Sequence, residues 1–278
     1  HGLVEARDDE SYAFLHDRIR ESLESQFDDS VRRALHDRIA GLLDGRPDAV
    51  YAVARHRIDG TPDHDPFALT RACLAAGRLA LAEHATQTAV FFLEHAARIS
   101  TGTDAALDRL LGRAYHRTAR LDEAAAALRR AVAATRDPVR RARTLHLLGR
   151  VHESAWDSEE QIRVSEEALA ELGAPLPQHP GLRLLSSLGW FIAACLVWFT
   201  GIGRGTATDR TRDRYRLMSA LYQDIGAAHV RGLRPRDSLP FALRAPLLAA
   251  RVGLSGESVD SLNAVAFLCR TARLHRLA

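Results

Sequence analysis

The first residues in this chain that could do chemistry are two copies of one tetrapeptide, His16-Asp17-Arg18-Ile19 and His36-Asp37-Arg38-Ile39. An adjacent His-Asp pair ligates metal in phosphohydrolases, where further His and Asp ligands converge on it. Neighbouring positions on a helix point about 100° apart, and no clustered ligands follow either copy, so both read as polar residues on helix surfaces. Asp63-His64-Asp65 lies between Pro62 and Pro66 and reads as a turn with a helix cap. His84, His95, His116, His146 and His152 are scattered along helix positions, where a satisfied or solvent-facing imidazole is expected. Gly201-Ile202-Gly203-Arg204-Gly205 has the composition of a phosphate loop. It follows no strand and lacks Gly-Lys-Ser and Gly-x-Gly-x-x-Gly, so a connector is expected. No Gly-x-Ser-x-Gly elbow is present.

Composition narrows the chemistry further. All 38 basic side chains are Arg and none is Lys. That removes the P-loop lysine, the kinase strand lysine, Schiff-base chemistry and the Ser-x-x-Lys nucleophile pair. Cys73, Cys195 and Cys269 are far apart, without any C-x-x-C, which predicts reduced thiols in a cytoplasmic setting rather than a disulfide framework or zinc site. No catalytic, cofactor-binding or metal-binding residue is therefore assigned. The net charge of +3 is uneven: residues 1–203 hold 25 Arg against 29 acids, and residues 204–278 hold 13 Arg against 6 acids. The exclusive use of Arg assigns much of this balance to the base composition of the source genome, so charge is a weak guide to partners. The chain starts at His1 and its one Met is Met218, so it reads as a piece of a longer product.

The elements that must position these residues are almost all helical. Gly2–Ala6 and Tyr12–Phe14 are short apolar stretches about a polar turn and predict a β-hairpin. Leu15, Ile19 and Leu23, then Val31, Leu35, Ile39 and Leu42, recur at helical spacing, with a break near Gln26–Ser30. Pro47 starts another helix, and the loop Gly60–Pro66 places a domain boundary near residue 61.

Beyond that loop the sequence is Ala-rich and repeats. Gly77, Gly112 and Gly149 are spaced by 35 and 37, and Gly226 is a fourth anchor. Around Gly112 stand Leu111, Tyr115, Ala124, Leu128 and Ala131, which is the tetratricopeptide pattern of a small residue and an aromatic on helix A, then small-large-small on helix B. Gly77 has Ala80, Ala89, Leu93 and Ala96 at the same offsets; Gly226 has Tyr222, His229, Ala242 and Ala245; Gly149 has the weaker set Leu148, His152 and Ala168. Small residues where two antiparallel helices cross let the backbones approach. The expected fold is all-α: a tetratricopeptide-like helical solenoid preceded by a small winged-helix remnant with a β-hairpin. Its parts are the winged-helix end at 1–60, repeats at 61–180, an apolar helix and connector at 181–210, and further repeats at 211–278. Tyr115 and Tyr222 are expected to line a concave protein-binding face.

The repeat is lost between Gly173 and Arg214. Leu184–Gly203 is a run of 20 residues without a charge, bounded by Arg183 and Arg204, long enough for a hydrocarbon core of ~30 Å. Ser186, Ser187, Gly189, Thr200, Gly201 and Gly203 shorten its strongly apolar centre, and the preferred reading is a buried or partner-covered helix, with membrane attachment through 184–203 the lesser one.

Tyr12-Ala13-Phe14-Leu15-His16-Asp17-Arg18-Ile19 and Leu35-His36-Asp37-Arg38-Ile39-Ala40-Gly41-Leu42-Leu43 together resemble the end of the winged-helix region in bacterial STAND-class signal-transduction ATPases. The downstream order is similar too: Ala76-Gly77-Arg78 with Ala89–Leu93, the tetratricopeptide pairs, Glu171-Leu172-Gly173-Ala174-Pro175-Leu176-Pro177, and Leu221–Gly226. The uncharged run departs from the more basic, amphipathic segment expected there. The resemblance implies a non-catalytic regulatory arm that lies C-terminal to a nucleotide-binding module, in proteins often fused to kinase or nucleotide cyclase domains. It places ATP and magnesium upstream of this chain and gives none of their ligands to it. The implied partner is another protein or an intramolecular output domain. A second reading makes the chain part of an ATP-dependent transcription regulator that contacts DNA through its hairpin-helix segment or basic C-terminal third.

Overall fold

A computed structural model describes residues 4–8, 11–14, 17–61, 64–100, 102 and 104–253. His16, Asp63, Cys269 and the part of the expected last repeat region beyond residue 253 lie outside these residues. The chain divides into two compact units, His1–Gly102 and Thr103–Ala278.

The first unit opens with the expected hairpin. Strands β1 (Val4–Asp8) and β2 (Ser11–Phe14) pair antiparallel, Val4 opposite Phe14 and Ala6 opposite Tyr12. Helices α1 (Asp17–Glu24), α2 (Asp29–Leu43), α3 (Val50–Asp59), α4 (Pro66–Ala82) and α5 (Thr86–Ile99) follow. A single 3-10 turn at Pro47–Ala49 leads into α3. Each of α2 to α5 packs on the next. The boundary expected near residue 61 is therefore not where the chain divides. The reason lies in Asp37 of the second His-Asp pair, whose Oδ2 accepts the Thr61 N–H at 3.1 Å and ties the Gly60–Pro66 loop back to α2. Gly60 sits against the same carboxylate, and a Cβ there would collide with Asp37 Oδ1. Tyr51 strengthens the join, stacking on Phe92 at 5.9 Å and donating its hydroxyl to Glu83 at 2.5 Å.

The second unit is a stack of helix pairs. Helices α6 (Ala105–Arg117) and α7 (Leu121–Ala134) form one antiparallel pair, and α8 (Pro138–Ser154) and α9 (Ser158–Glu171) form the next. Helix α10 spans Pro180–Thr200, α11 Asp209–Arg231, α12 Pro235–Ala242 and α13 Ala245–Val252. The stack runs from α7 to α8 and from α9 to α11, with α12 and α13 as the partners of α11. Helix α10 interrupts the sequence of pairs but packs outside the stack, on α12 and α13. This is the pairwise packing of a tetratricopeptide-like solenoid, and within the first unit α4 and α5 form a pair of the same kind.

The glycine anchors explain why these residues pair. A Cβ on Gly77 would stand 2.6 Å from Leu93 Cγ, and one on Gly112 would stand 2.5 Å from Leu128 Cγ. Only a glycine admits the leucine of helix B at that depth, where Leu93 and Leu128 are buried. Gly149 faces Ser165 instead, at 3.3 Å, and Gly226 is looser, with nothing nearer than Phe241 Cβ at 3.8 Å. Asp65, Asp104 and Asp137 start α4, α6 and α8 by accepting N–H groups of the first turn, and two of them precede a helix-initiating Pro.

One feature of the repeat escapes a reading for glycine. His84, Ala119, Trp156 and Leu233 all have φ near +60°. Each stands seven residues beyond its anchor glycine, at the turn from helix A to helix B. In each turn the next N–H bonds five residues back, from Ala85 to Ala80, Arg120 to Tyr115, Asp157 to His152 and Arg234 to His229. This closes the helix in a Schellman motif. Sequence inspection misses it because Gly is the residue that ordinarily marks such a turn.

Candidate interaction surface

The sequence-predicted residues are structural where the side chains are described. His36 and His56 face each other from α2 and α3, with their Nδ1 atoms 2.8 Å apart. One ring must donate and the other accept, so at least one of the two is neutral in this geometry. Burial, and then the neighbouring His36, depress the pKa of His56. Asp65 caps α4, as expected. Among the described residues no three His, Cys, Asp or Glu side chains converge as a metal site. Cys73 is buried, with its thiol pushed up to about 12 by that burial. The Gly201–Gly205 loop turns the chain out of α10, with Gly201, Gly203 and Gly205 at positive φ, and the Gly205 N–H bonds to Ala250 O at 3.1 Å.

Tyr222 does not meet a partner. It is 0% exposed, in the middle of the core of the second unit, with Trp190 edge-on at 6.2 Å and Arg244 above it. The expectation fails because Tyr222 lies four residues before its anchor, on the side of α11 that packs inward. Tyr115 is half-buried against the same core, and Arg120 lies over its ring at 4.3 Å.

The exposed chemistry of the helix-A side is carried by arginines instead. Arg109, Arg113 and Arg117 recur at i, i+4 and i+8 on α6 and so share one face. Arg113 and Arg117 are exposed and Arg109 is half-buried. Partial burial, and then the charges of Arg117 and Arg109, lower the pKa of Arg113, so the three cations repel one another across this face. Among the described residues neither Arg109 nor Arg113 has an ion pair. The α8 positions that correspond to Arg109 and Arg113 are His146 and Arg150, and both are matched. His146 bonds to Asp224 at 2.9 Å and Arg150 pairs with Glu153 at 2.7 Å; nearby, Arg143 pairs with Asp213 at 3.2 Å. Asp224 and Asp213 of α11 and Glu153 of α8 itself thus offset the α8 cations, whereas Arg109 and Arg113 of α6 have no such partner among the described residues. These arginines sit at the offsets −3, +1 and +5 from Gly112, a regularity visible in the sequence once the anchor is known.

No protein-family model matches this chain, and no curated protein matches it. Nine chains of solved structures do match. One, described as the crystal structure of MamA protein, is 16% identical over 78% of this chain and 91% of that chain, with a TM-score of 0.49.

Proposed function

We propose that this chain is a non-catalytic protein-interaction region, the cytoplasmic regulatory arm of a STAND-class signal-transduction ATPase. In this reading the solenoid holds a partner protein or an output domain, and the nucleotide chemistry belongs to a module elsewhere in the parent polypeptide. Partner binding then regulates the ATPase through a difference in affinity for its two nucleotide states, since equal affinity shifts nothing. One observation carries the choice of surface: in the arginine row of α6, Arg109 and Arg113 share one face and neither has an ion pair among the described residues. A segment rich in Asp and Glu is the complementary partner, and it would relieve the repulsion within the row.

A glutamate-rich peptide, followed by fluorescence anisotropy against the purified chain, tests the reading. Binding is expected to weaken with salt and to fall about tenfold or more in an Arg109→Glu/Arg113→Glu variant of unchanged helicity. Equal binding by that variant would overturn the assignment of the surface. Duplex DNA in the same assay discriminates the transcription-regulator reading, which predicts tight and steeply salt-dependent duplex binding.

A further inference from the structure

Helix α10 is apolar nearly all round, and the run Leu184–Gly203 carries no charge. Its inward side packs the half-buried Trp190 against the core and adds two serines. Ser186 and Ser187 point toward α13 and accept hydrogen bonds from Arg244 Nη2 and Nε, both at 2.8 Å. Ala194 is buried further along the same side. The opposite side is apolar and uncovered. Leu185, Leu188, Ile192, Leu196 and Phe199 recur at helical spacing, and Leu185, Ile192 and Phe199 are 67%, 60% and 90% exposed. Ile202 extends the stripe past the end of the helix. The sequence-based preference for a buried helix is thus met on one side only.

The charges around the stripe indicate what covers it. A protein interface is ringed by polar and charged residues. On the α10 segment the charges that border the stripe are Arg183, paired with Glu166 at 3.2 Å, and Arg204, which lies in the loop past the end of the helix. At the C-terminal end Arg204 lies over the Trp198 ring at 4.4 Å. The backbone bonds from Gly205 to Ala250 and from Ala207 to Arg251 bring the exposed Arg251 to the same end. Arginines at one end of a wholly apolar stripe fit the anionic headgroups that border the acyl region of a bilayer.

We propose that α10 lies in the surface of an anionic membrane, with Leu185, Ile192, Leu196 and Phe199 in the acyl region and Arg204 and Arg251 against lipid phosphates. The helix lies there and does not span, because its inner side is committed to Arg244, α12 and α13. Attachment is reversible and leaves the α6 face free for a protein partner.

Flotation of the purified chain with vesicles tests this, using equimolar phosphatidylglycerol and phosphatidylcholine against phosphatidylcholine alone. The chain is expected to float with the anionic vesicles and about tenfold less with the neutral ones. Ile192→Asp/Leu196→Asp, which alters only exposed positions, should keep its helicity and lose flotation by about tenfold or more. Arg204→Glu/Arg251→Glu should lose only the preference for anionic lipid. Three results would overturn the proposal: no flotation of the parent chain, flotation unchanged by the aspartates, or a concentration-dependent dimer that those aspartates disperse while vesicles stay empty. The last result would assign the stripe to a second copy of the chain.

Discussion

Gly112 and Leu128 share one packing site: the leucine of α7 occupies the space that any side chain at residue 112 would need, 2.5 Å from its Cβ position. Gly77 and Leu93 repeat the relationship at 2.6 Å. Alanine at either glycine forces the helices apart and should destabilise by about 1–3 kcal/mol despite its better helix propensity. At Gly226 the nearest atom is 3.8 Å away, so Gly226→Ala should gain up to ~1 kcal/mol. Gly149→Ala should fall between them, because the Ser165 hydroxyl at 3.3 Å can rotate away. Urea unfolding of the four variants checks the order; equal effects at Gly112 and Gly226 would show that close approach does not define the repeat.

The four turns between A and B helices make an independent prediction. Ala119 is exposed and held at φ 59°, where an L side chain costs about 1–2 kcal/mol and glycine costs little. After the greater unfolded-state entropy of glycine is subtracted, Ala119→Gly should stabilise by about 0.5–1 kcal/mol. Leu233→Gly should do the same, since Leu233 is also exposed. Ala155→Gly is the control: Ala155 has φ −83°, so the substitution there should destabilise by a similar amount. A gain at residue 155 would remove the explanation.

The repeat was legible because its signal is steric and local. Gly77, Gly112 and Gly149 mark close approach, and the leucines sixteen residues beyond the first two mark what fills it. The hairpin and the Asp65 cap were legible for the same reason, since each rests on residues adjacent in sequence. The Asp37 bond to Thr61 was not, because it joins residues 24 apart and turns an apparent catalytic motif into a loop tether. The orientation of α10 was hidden too. Its composition is uniform enough that either side could face inward, and Arg244, 57 residues after Ser187, decides which. The inward placement of Tyr222 follows from that arginine, 22 residues later, and from Trp190, which lies on α10 outside the repeat.

Acid should weaken the fold before any carboxylate titrates. His56, His116, His152 and His229 are all lowered from 6.5, each first by burial. Arg150 adds to the shift at His116, while Glu160 partly offsets it at His152 and Asp237 at His229. The unfolded chain therefore binds more protons than the folded one once pH falls below about 6.5. Stability is full above that value and declines as pH drops toward the depressed folded values. Urea midpoints at pH 7.5 and 5.5 should differ in that direction. His229 stacks on Phe241 at 5.4 Å, and among the described residues neither ring nitrogen is bonded, so His229→Leu should keep its stability at pH 7.5 and flatten the decline. An unchanged slope in that variant would exclude His229 as a contributor.

Arg244 should control whether α10 stays attached. It is 4% exposed, bonds to Ser186, Ser187 and the Tyr222 hydroxyl, and lies over the rings of Trp190 and Tyr222. No carboxylate pairs with it among the described residues, so its charge rests on hydroxyl oxygens and aromatic faces alone. Arg244→Ala leaves three hydroxyls without their donor and opens a void, at a cost of about 2–4 kcal/mol. Arg244→Met removes the buried charge while filling much of the space, and should cost less. Arg244→Lys keeps the charge but loses the planar fork that reaches two serines at once, so it should resemble the alanine variant more than the methionine one. Tryptophan fluorescence reports the result. Trp156 is already exposed and gives a constant background, whereas detachment of α10 should shift the emission of its half-buried Trp190 and Trp198 to the red. If lysine proves as good as arginine, charge rather than the geometry of the fork holds α10 in place.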